Sequence, residues 1–345
     1  MTNAPAHDAP AEEASAKSPL ASRRYEVSWV DYTILFALAV FWGNSFLLTN
    51  WTVQEMAPAT LAMLRTLGGG GILLAIAFAM GKKLPGGRTI WVTVFACAVL
   101  GNALPFFLIG WGQVLVGAGL GAILMGIMPL FTLLFAHFMT GDERFTWVKA
   151  AAVGLGLVGL IILVGPSVLY ELGTEGIRQL ALVGAAICYS INAIFTKRLT
   201  HLDPIMISGL FVTVAGVLLL PVGVPDLIAN ASVWSASVWT NVVILALLPT
   251  ALSGILTFVL IGRQGATFFS QINYLVPLSG VAWGWALANE VLEPRAAIAL
   301  LFIFAGITLS RRIGRARTTA YTSSFTSLPS RSVSPDPVSE RQDDA

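Results

Sequence analysis

About ten runs of roughly 20 apolar residues follow one another along this chain, and that succession limits its fold more than any other feature. They lie near 32–53, 58–80, 91–111, 115–138, 147–165, 179–199, 205–221, 239–262, 268–288 and 296–311. A bilayer core offers no water to free backbone groups, so each run of this length is expected to be a helix. Composition agrees: 56% of the 345 residues are hydrophobic and 11% are charged, against about 25% charged in a soluble domain. The chain reads as an all-α integral membrane protein with short connections. The seventh run, bracketed by Pro204 and Pro221, is the shortest.

Part of the sequence occurs twice. Gly117 to Gly159 and Gly265 to Gly306 each hold an apolar helix carrying a proline, a short acidic turn, and a second apolar helix with small residues. Gly117-Ala118 aligns with Gly265-Ala266, Pro129 with Pro277, Glu143 with Glu290 and Gly159 with Gly306, with one residue deleted between proline and glutamate. Such a repeat points to two related halves, expected at residues 31–166 and 179–312. With five spans in each half, the second half enters the membrane from the opposite face. About ten transmembrane helices in two inverted five-helix repeats is the expected architecture.

Charge supports an even number of spans. Lys82, Lys83, Arg88, Arg144, Lys149, Lys197, Arg198, Arg263 and the arginines from Arg311 to Arg317 all fall on one side of a ten-span chain. Arg178 and Arg295 alone fall on the other. Positive residues favour the cytoplasm, so both termini are expected there. Residues 1–30 and 318–345 are rich in Ala, Pro, Ser and Thr and are expected to be disordered tails, and no cleavable signal peptide is expected. Cys97 and Cys188 lie within apolar segments without ligand or redox spacing, as small buried hydrophobes do.

With these residues in view, the chain resembles the EamA-type drug/metabolite transporter family. The resemblance covers residues 31 to about 312. It is carried by Phe41-Trp42-Gly43-Asn44-Ser45-Phe46, by Pro58 with Arg65, and by the Pro129 helix ending in Gly141-Asp142-Glu143. The Pro277 helix ending in Asn289-Glu290 and the pattern from Tyr189 to Lys197-Arg198 add to it. It implies ten helices in two inverted repeats, and export or exchange of amino acids, other small metabolites or drugs. Members of one fold differ in what lines the cavity, so the solute stays open.

The candidate site follows from what is costly in a membrane. Pro105 and Pro249 are expected to occupy corresponding places in their helices, as are Pro129 and Pro277. Each removes one backbone hydrogen bond and bends its helix, and paired interruptions point to a transporter's central cavity; packing alone is the alternative. Arg65 lies seven residues past Pro58. A charge at that depth costs at least ~2.5 kcal/mol unless paired or wetted. It is expected to bind a solute carboxylate or to clamp the first two helices; a structural arginine bonded to carbonyls or snorkelling outward is the alternative. Asn44, Asn102, Tyr189, Asn192, Gln271, Asn273 and Tyr274 are polar at membrane depth and must face other helices or water. Trp42 and Trp283 lie inside spans and are candidates for a stacking wall, whereas Trp29, Trp51, Trp91, Trp147, Trp234 and Trp239 fit an aromatic belt. Glu143 and Glu290 fit helix capping.

What is missing narrows the chemistry. No carboxylate lies deep in a span, no phosphate-cradling loop for ATP is present, and His7, His137 and His201 are scattered. The expectation is a secondary transporter, an exporter of small amphipathic metabolites across a bacterial inner membrane by alternating access. It has no catalytic residues, no metal and no cofactor. Its expected partners are a small-molecule solute and the lipid bilayer, with no nucleic acid and no ATP, and a homodimer is left open. A membrane-embedded transferase and a passive channel are the alternatives. The former would need a reactive cluster that the histidines do not form.

Overall fold

The computed structural model describes residues 27–141 and 145–276, and beyond them 278–279, 294, 298–299, 301–303, 305–306 and 309. Among the described residues every regular element is helical. Besides a short 3₁₀ helix at Pro166–Glu171, these are in chain order α1 (Trp29–Thr52), α2 (Pro58–Ala79), α3 (Arg88–Gln113), α4 (Ala118–Met125), α5 (Met128–Met139), α6 (Trp147–Val164), α7 (Gly176–Leu199), α8 (Pro204–Asn230), α9 (Ala236–Gln264) and α10 (Ala266–Ser270). Six of them (α1, α2, α3, α7, α8 and α9) are long and apolar enough to cross a membrane. The shorter α4, α5 and α6 are apolar as well. The acidic turns at Glu143 and Glu290, and about half of the last two expected spans, lie outside the described residues.

The helices begin where their ends can be satisfied. Ser28 and Asp31 form a reciprocal capping box at the start of α1. Pro58 and Pro204 open α2 and α8, where a missing amide costs nothing. Asp203 caps α8 by accepting from the amides of Ile205 and Met206 at 3.1 and 3.0 Å.

α2 and α8 pack closely along their length, and they do so through glycine. A Cβ on Gly209 would fall 3.0 to 3.1 Å from Leu73 and Leu74, one on Gly216 2.7 Å from the Leu67 side chain, and one on Gly223 2.8 Å from the Met63 sulfur. From α2's side, a Cβ on Gly70 would meet the Thr213 backbone at 2.5 Å. Partners on α2 descend as those on α8 ascend, so the two helices are antiparallel. In a bilayer this close approach replaces the hydrophobic effect as the source of association.

The expected end of the seventh span at Pro221 is corrected: α8 continues through Pro221 and Pro225 to Asn230. A proline removes one hydrogen bond, but ending the helix in the apolar layer would strand several backbone groups at once. Elsewhere proline does interrupt. The ring of Pro129 opposes the Met125 carbonyl four residues back, and there α4 stops and α5 starts after a turn at Gly126 and Ile127.

α3 and α9 each contain one wide, π-helical turn, at Val99–Ala103 and Leu247–Leu252. The turns start 148 positions apart (99 to 247), as do Gly117 and Gly265 (117 to 265). At that spacing Pro249 falls opposite Gly101 rather than Pro105. The wide turns correspond between the two helices, and the prolines sit at different points of them.

Polar contacts tie α1 and α2 to α8 and α9 at both faces. At one face Asp31, fully buried, pairs with Arg263 and accepts from Gln264 Nε2 at 2.8 Å, while Lys82 and Asp203 pair at 2.8 Å. At the other, Asp226 accepts from Thr60 Oγ1 at 2.7 Å and from the Ala57 amide at 3.2 Å, so it caps α2 from the end of α8. Glu55 there accepts from the Ser235 hydroxyl at 3.1 Å. Trp29, Trp51 and Trp147 are exposed, as an aromatic belt requires. Trp234 departs from that expectation: it is buried against Trp239, with ring centroids 5.5 Å apart.

Candidate functional site

A cavity of about 40 Å³ lies where α1, α2, α3, α7 and α9 converge. That is room for about three waters. Trp42, Phe46, Phe106 and Tyr189 give it aromatic walls, Ser45, Thr49, Arg65 and Asn273 give it polar groups, and Ile109, Met125 and Pro249 complete the lining. Trp42 stacks on Tyr189 at 6.2 Å with an interplanar angle of 18°, and meets Phe269 edge-on at 5.8 Å. The Phe41 to Phe46 motif thus contributes through Trp42, Ser45 and Phe46.

Arg65 is the charged group of this cavity, and it is 5% exposed. Its Nε donates to Thr250 Oγ1 at 3.0 Å, Nη2 reaches Ser45 Oγ at 3.5 Å, and the guanidinium carbon sits 3.9 Å from the centroid of the Phe106 ring. Among the described residues, neither ion pair involves it. Its charge is therefore balanced by a π face and two hydroxyls, which is weak compensation for removing a guanidinium from water. Two of its five N–H donors are used among the described residues, which leaves three without a protein acceptor there.

Thr250 reaches Arg65 because of the proline beside it. Pro249 has no amide, so the Leu245 carbonyl four residues back has lost its helical donor. Thr250 Oγ1 donates to that carbonyl at 2.7 Å, which uses its one proton and leaves its oxygen to accept from Arg65. Gly69 permits the approach: a Cβ there would lie 2.6 Å from the Ala246 carbonyl oxygen.

Asn273 approaches from beyond α10. Its Nδ2 donates to the Ser270 carbonyl at 3.3 Å and to the Met128 sulfur at 2.8 Å. A carbonyl accepts only, so this contact fixes the amide with Oδ1 as the remaining acceptor. The cavity therefore holds a cationic donor, Arg65, and a neutral acceptor, Asn273.

The other candidates fall elsewhere. Asn102 is buried in the wide turn of α3, and Asn192 lies against Gly101 in the same turn, with its Oδ1 buried and unpartnered among the described residues. Asn44 is half-buried and lines neither cavity. Pro129, Gln271 and Tyr274 border a second space of about 10 Å³, room for one water at most. Tyr274 donates to the Val153 carbonyl at 3.1 Å and packs its ring on Gly156. Pro105 is buried in α3 directly before Phe106. Pro277 and Trp283 lie outside the described residues. Sequence reasoning missed Phe106 and Thr250. A threonine directly after a mid-helix proline was the available signal for the second.

A profile of the EamA-like transporter family matches residues 30–165 and again residues 177–312. The chain is 27% identical over 285 residues to the uncharacterized inner membrane transporter YedA of Escherichia coli (strain K12), covering 80% of this chain and 88% of that one. It is 25% identical over 287 residues to the probable terminal-alkyne amino-acid exporter of Streptantibioticus cattleyicolor, covering 82% and 94%. A solved crystal structure shares the fold at a TM-score of 0.67 and 20% identity, covering 81% of this chain and 98% of the other.

Proposed function

The chain belongs to the EamA-like transporter family, and we propose that it is a secondary exporter moving a small organic anion or zwitterion across a bacterial inner membrane. It is a multi-pass integral membrane protein of a family of transporters, which makes an enzyme a poor reading of it. The observation that carries the choice of solute is Arg65, a buried guanidinium with no carboxylate partner among the described residues, facing an aromatic-walled cavity. A solute carboxylate would complete its pairing, and the rings of Trp42, Tyr189 and Phe106 would give an apolar or aromatic body a surface to pack on once the cavity widens beyond its present volume of about 40 Å³. Asn273 Oδ1 could accept from a solute donor. The relative named for export of an amino acid makes such a cargo reasonable here.

In this reading the chain has ten spans in two inverted repeats, residues 31–166 and 179–312, with both termini cytoplasmic. Three features support it. The family profile matches twice in tandem. The wide turns of α3 and α9 recur at the spacing of the repeated glycines. α2 and α8, which hold corresponding positions at that spacing, are antiparallel, as an inverted repeat requires. Transport then consists of rocking the halves about the Arg65 cavity, with the contacts at the two faces opening in turn.

Reconstituted protein tests the carrier reading. Solute counterflow in liposomes requires a site that faces one side at a time, so counterflow supports a carrier and flux without it identifies a channel.

A further inference from the structure

We propose that Thr250 is a positioning residue that sets the direction of the Arg65 guanidinium, and through it the preference of the cavity for anions. The inference rests on the reading of Arg65 as the anion-binding group. It adds that a proline-freed carbonyl, not a carboxylate, determines where that group points.

The chain of contacts is directional. Leu245 has a carbonyl without its helical donor because Pro249 has no N–H. Thr250 donates its hydroxyl proton there at 2.7 Å. Its oxygen can then only accept, and Arg65 Nε is the donor it accepts from at 3.0 Å. A hydroxyl with its proton committed holds its lone pairs in fixed directions, whereas a freely rotating one does not. Nε occupied in this way turns the remaining donors of the planar guanidinium away from Thr250. Phe106, one residue after Pro105 in α3, lies beneath the guanidinium and limits it from a second side. Arg65 is thus held between the two proline-interrupted helices, α3 and α9. A carboxylate at Thr250's place would neutralise the charge and compete with the solute; a hydroxyl orients it and leaves the charge available.

The test is the concentration dependence of thermal stabilisation of the purified full-length protein by phenylacetate and, separately, by the neutral phenylacetamide. Thr250→Val keeps the branched shape, removes the acceptor for Arg65 and strands the Leu245 carbonyl. Pro249→Ala with Thr250→Val returns an amide to that carbonyl, so this second variant keeps the backbone satisfied if the single one does not fold. Thr250→Ser restores the hydroxyl. Both valine variants are expected to need about tenfold more phenylacetate for half-saturation, the size of one lost charge-assisted hydrogen bond, with phenylacetamide unchanged. The serine variant is expected to behave as wild type. An unchanged phenylacetate response in the double variant, or an equal loss for both probes, overturns the role of Thr250. Arg65→Gln separates the two levels. If it retains the preference for phenylacetate, or if wild type shows none, the anion-site reading itself falls and the inference with it.

Discussion

Asp31 and Arg263 form an ion pair across 232 positions of sequence, joining the first turn of α1 to the last turn of α9. Asp31 is fully buried and also accepts from the Ser28 amide and from Gln264. Replacing it with Asn keeps the volume and removes the charge. Breaking a buried pair by removing one partner costs about 3–5 kcal/mol, and the partial exposure of Arg263 brings the expectation for Asp31→Asn to about 2 kcal/mol. Calorimetry in detergent should show a melting point lower by several degrees. An unchanged melting point would mean that the pair does not hold this face together.

The α2–α8 contact should be intolerant of a single methyl group. A Cβ on Gly216 would sit 2.7 Å from the Leu67 side chain and 2.9 Å from its amide nitrogen, so backbone as well as side chain must move. Gly216→Ala is expected to cost about 1–3 kcal/mol, and Gly216→Val more. Gly71, whose added Cβ would meet nothing within 4 Å, is the control on the same helix pair. Thermal scans that rank the two alanine variants equally would contradict the packing argument.

A pH dependence is expected at the start of α8. Burial pushes the Asp203 carboxyl up, but the Lys82 ammonium and the amides of Met206 and Ile205 outweigh it and hold the group below its ordinary value. A carboxyl held low in the folded state stabilises it above the unfolded pKa of about 3.9, and that contribution is lost as the pH falls through the lower folded value. Asp203→Asn should therefore lower the melting point at neutral pH and bring it toward that of the wild type in strong acid. An equal difference at every pH would assign Asp203 a purely uncharged capping role.

The Trp42–Tyr189 stack is expected to select the solute. Tyr189→Leu keeps an apolar surface but removes the stacked ring and the hydroxyl. Half-saturation for an aromatic acid should rise by about tenfold, the size of one aromatic pair, with membrane yield little changed. A fall in yield without a change in preference would make the stack a packing element.

The broad architecture was legible because bilayer physics acts on composition and length, which a sequence displays directly. Arg65 was legible for the same reason: a lone charge among α2's apolar residues needs an explanation. Pro221 misled because a proline ends helices in water, where freed groups find solvent, and not in an apolar layer. The cavity walls were harder. Phe106 lies under the guanidinium and Phe95, earlier in the same helix, is exposed, yet both are phenylalanines in one apolar run. In a membrane helix apolar residues face both lipid and cavity, so periodicity does not separate the two. Thr250 escaped because its role depends on which helix lies across from it.

The central claim is that Arg65 engages the anionic group of an exported solute. Its most direct test compares small molecules in the medium of cells producing the wild-type protein, cells producing Arg65→Gln at equal membrane abundance, and cells lacking the protein. The account predicts that one or more organic anions or zwitterions accumulate outside with the wild type and return to the level of cells lacking the protein with Arg65→Gln. Equal accumulation in the wild-type and Arg65→Gln cultures, or accumulation of cationic compounds alone, would contradict it.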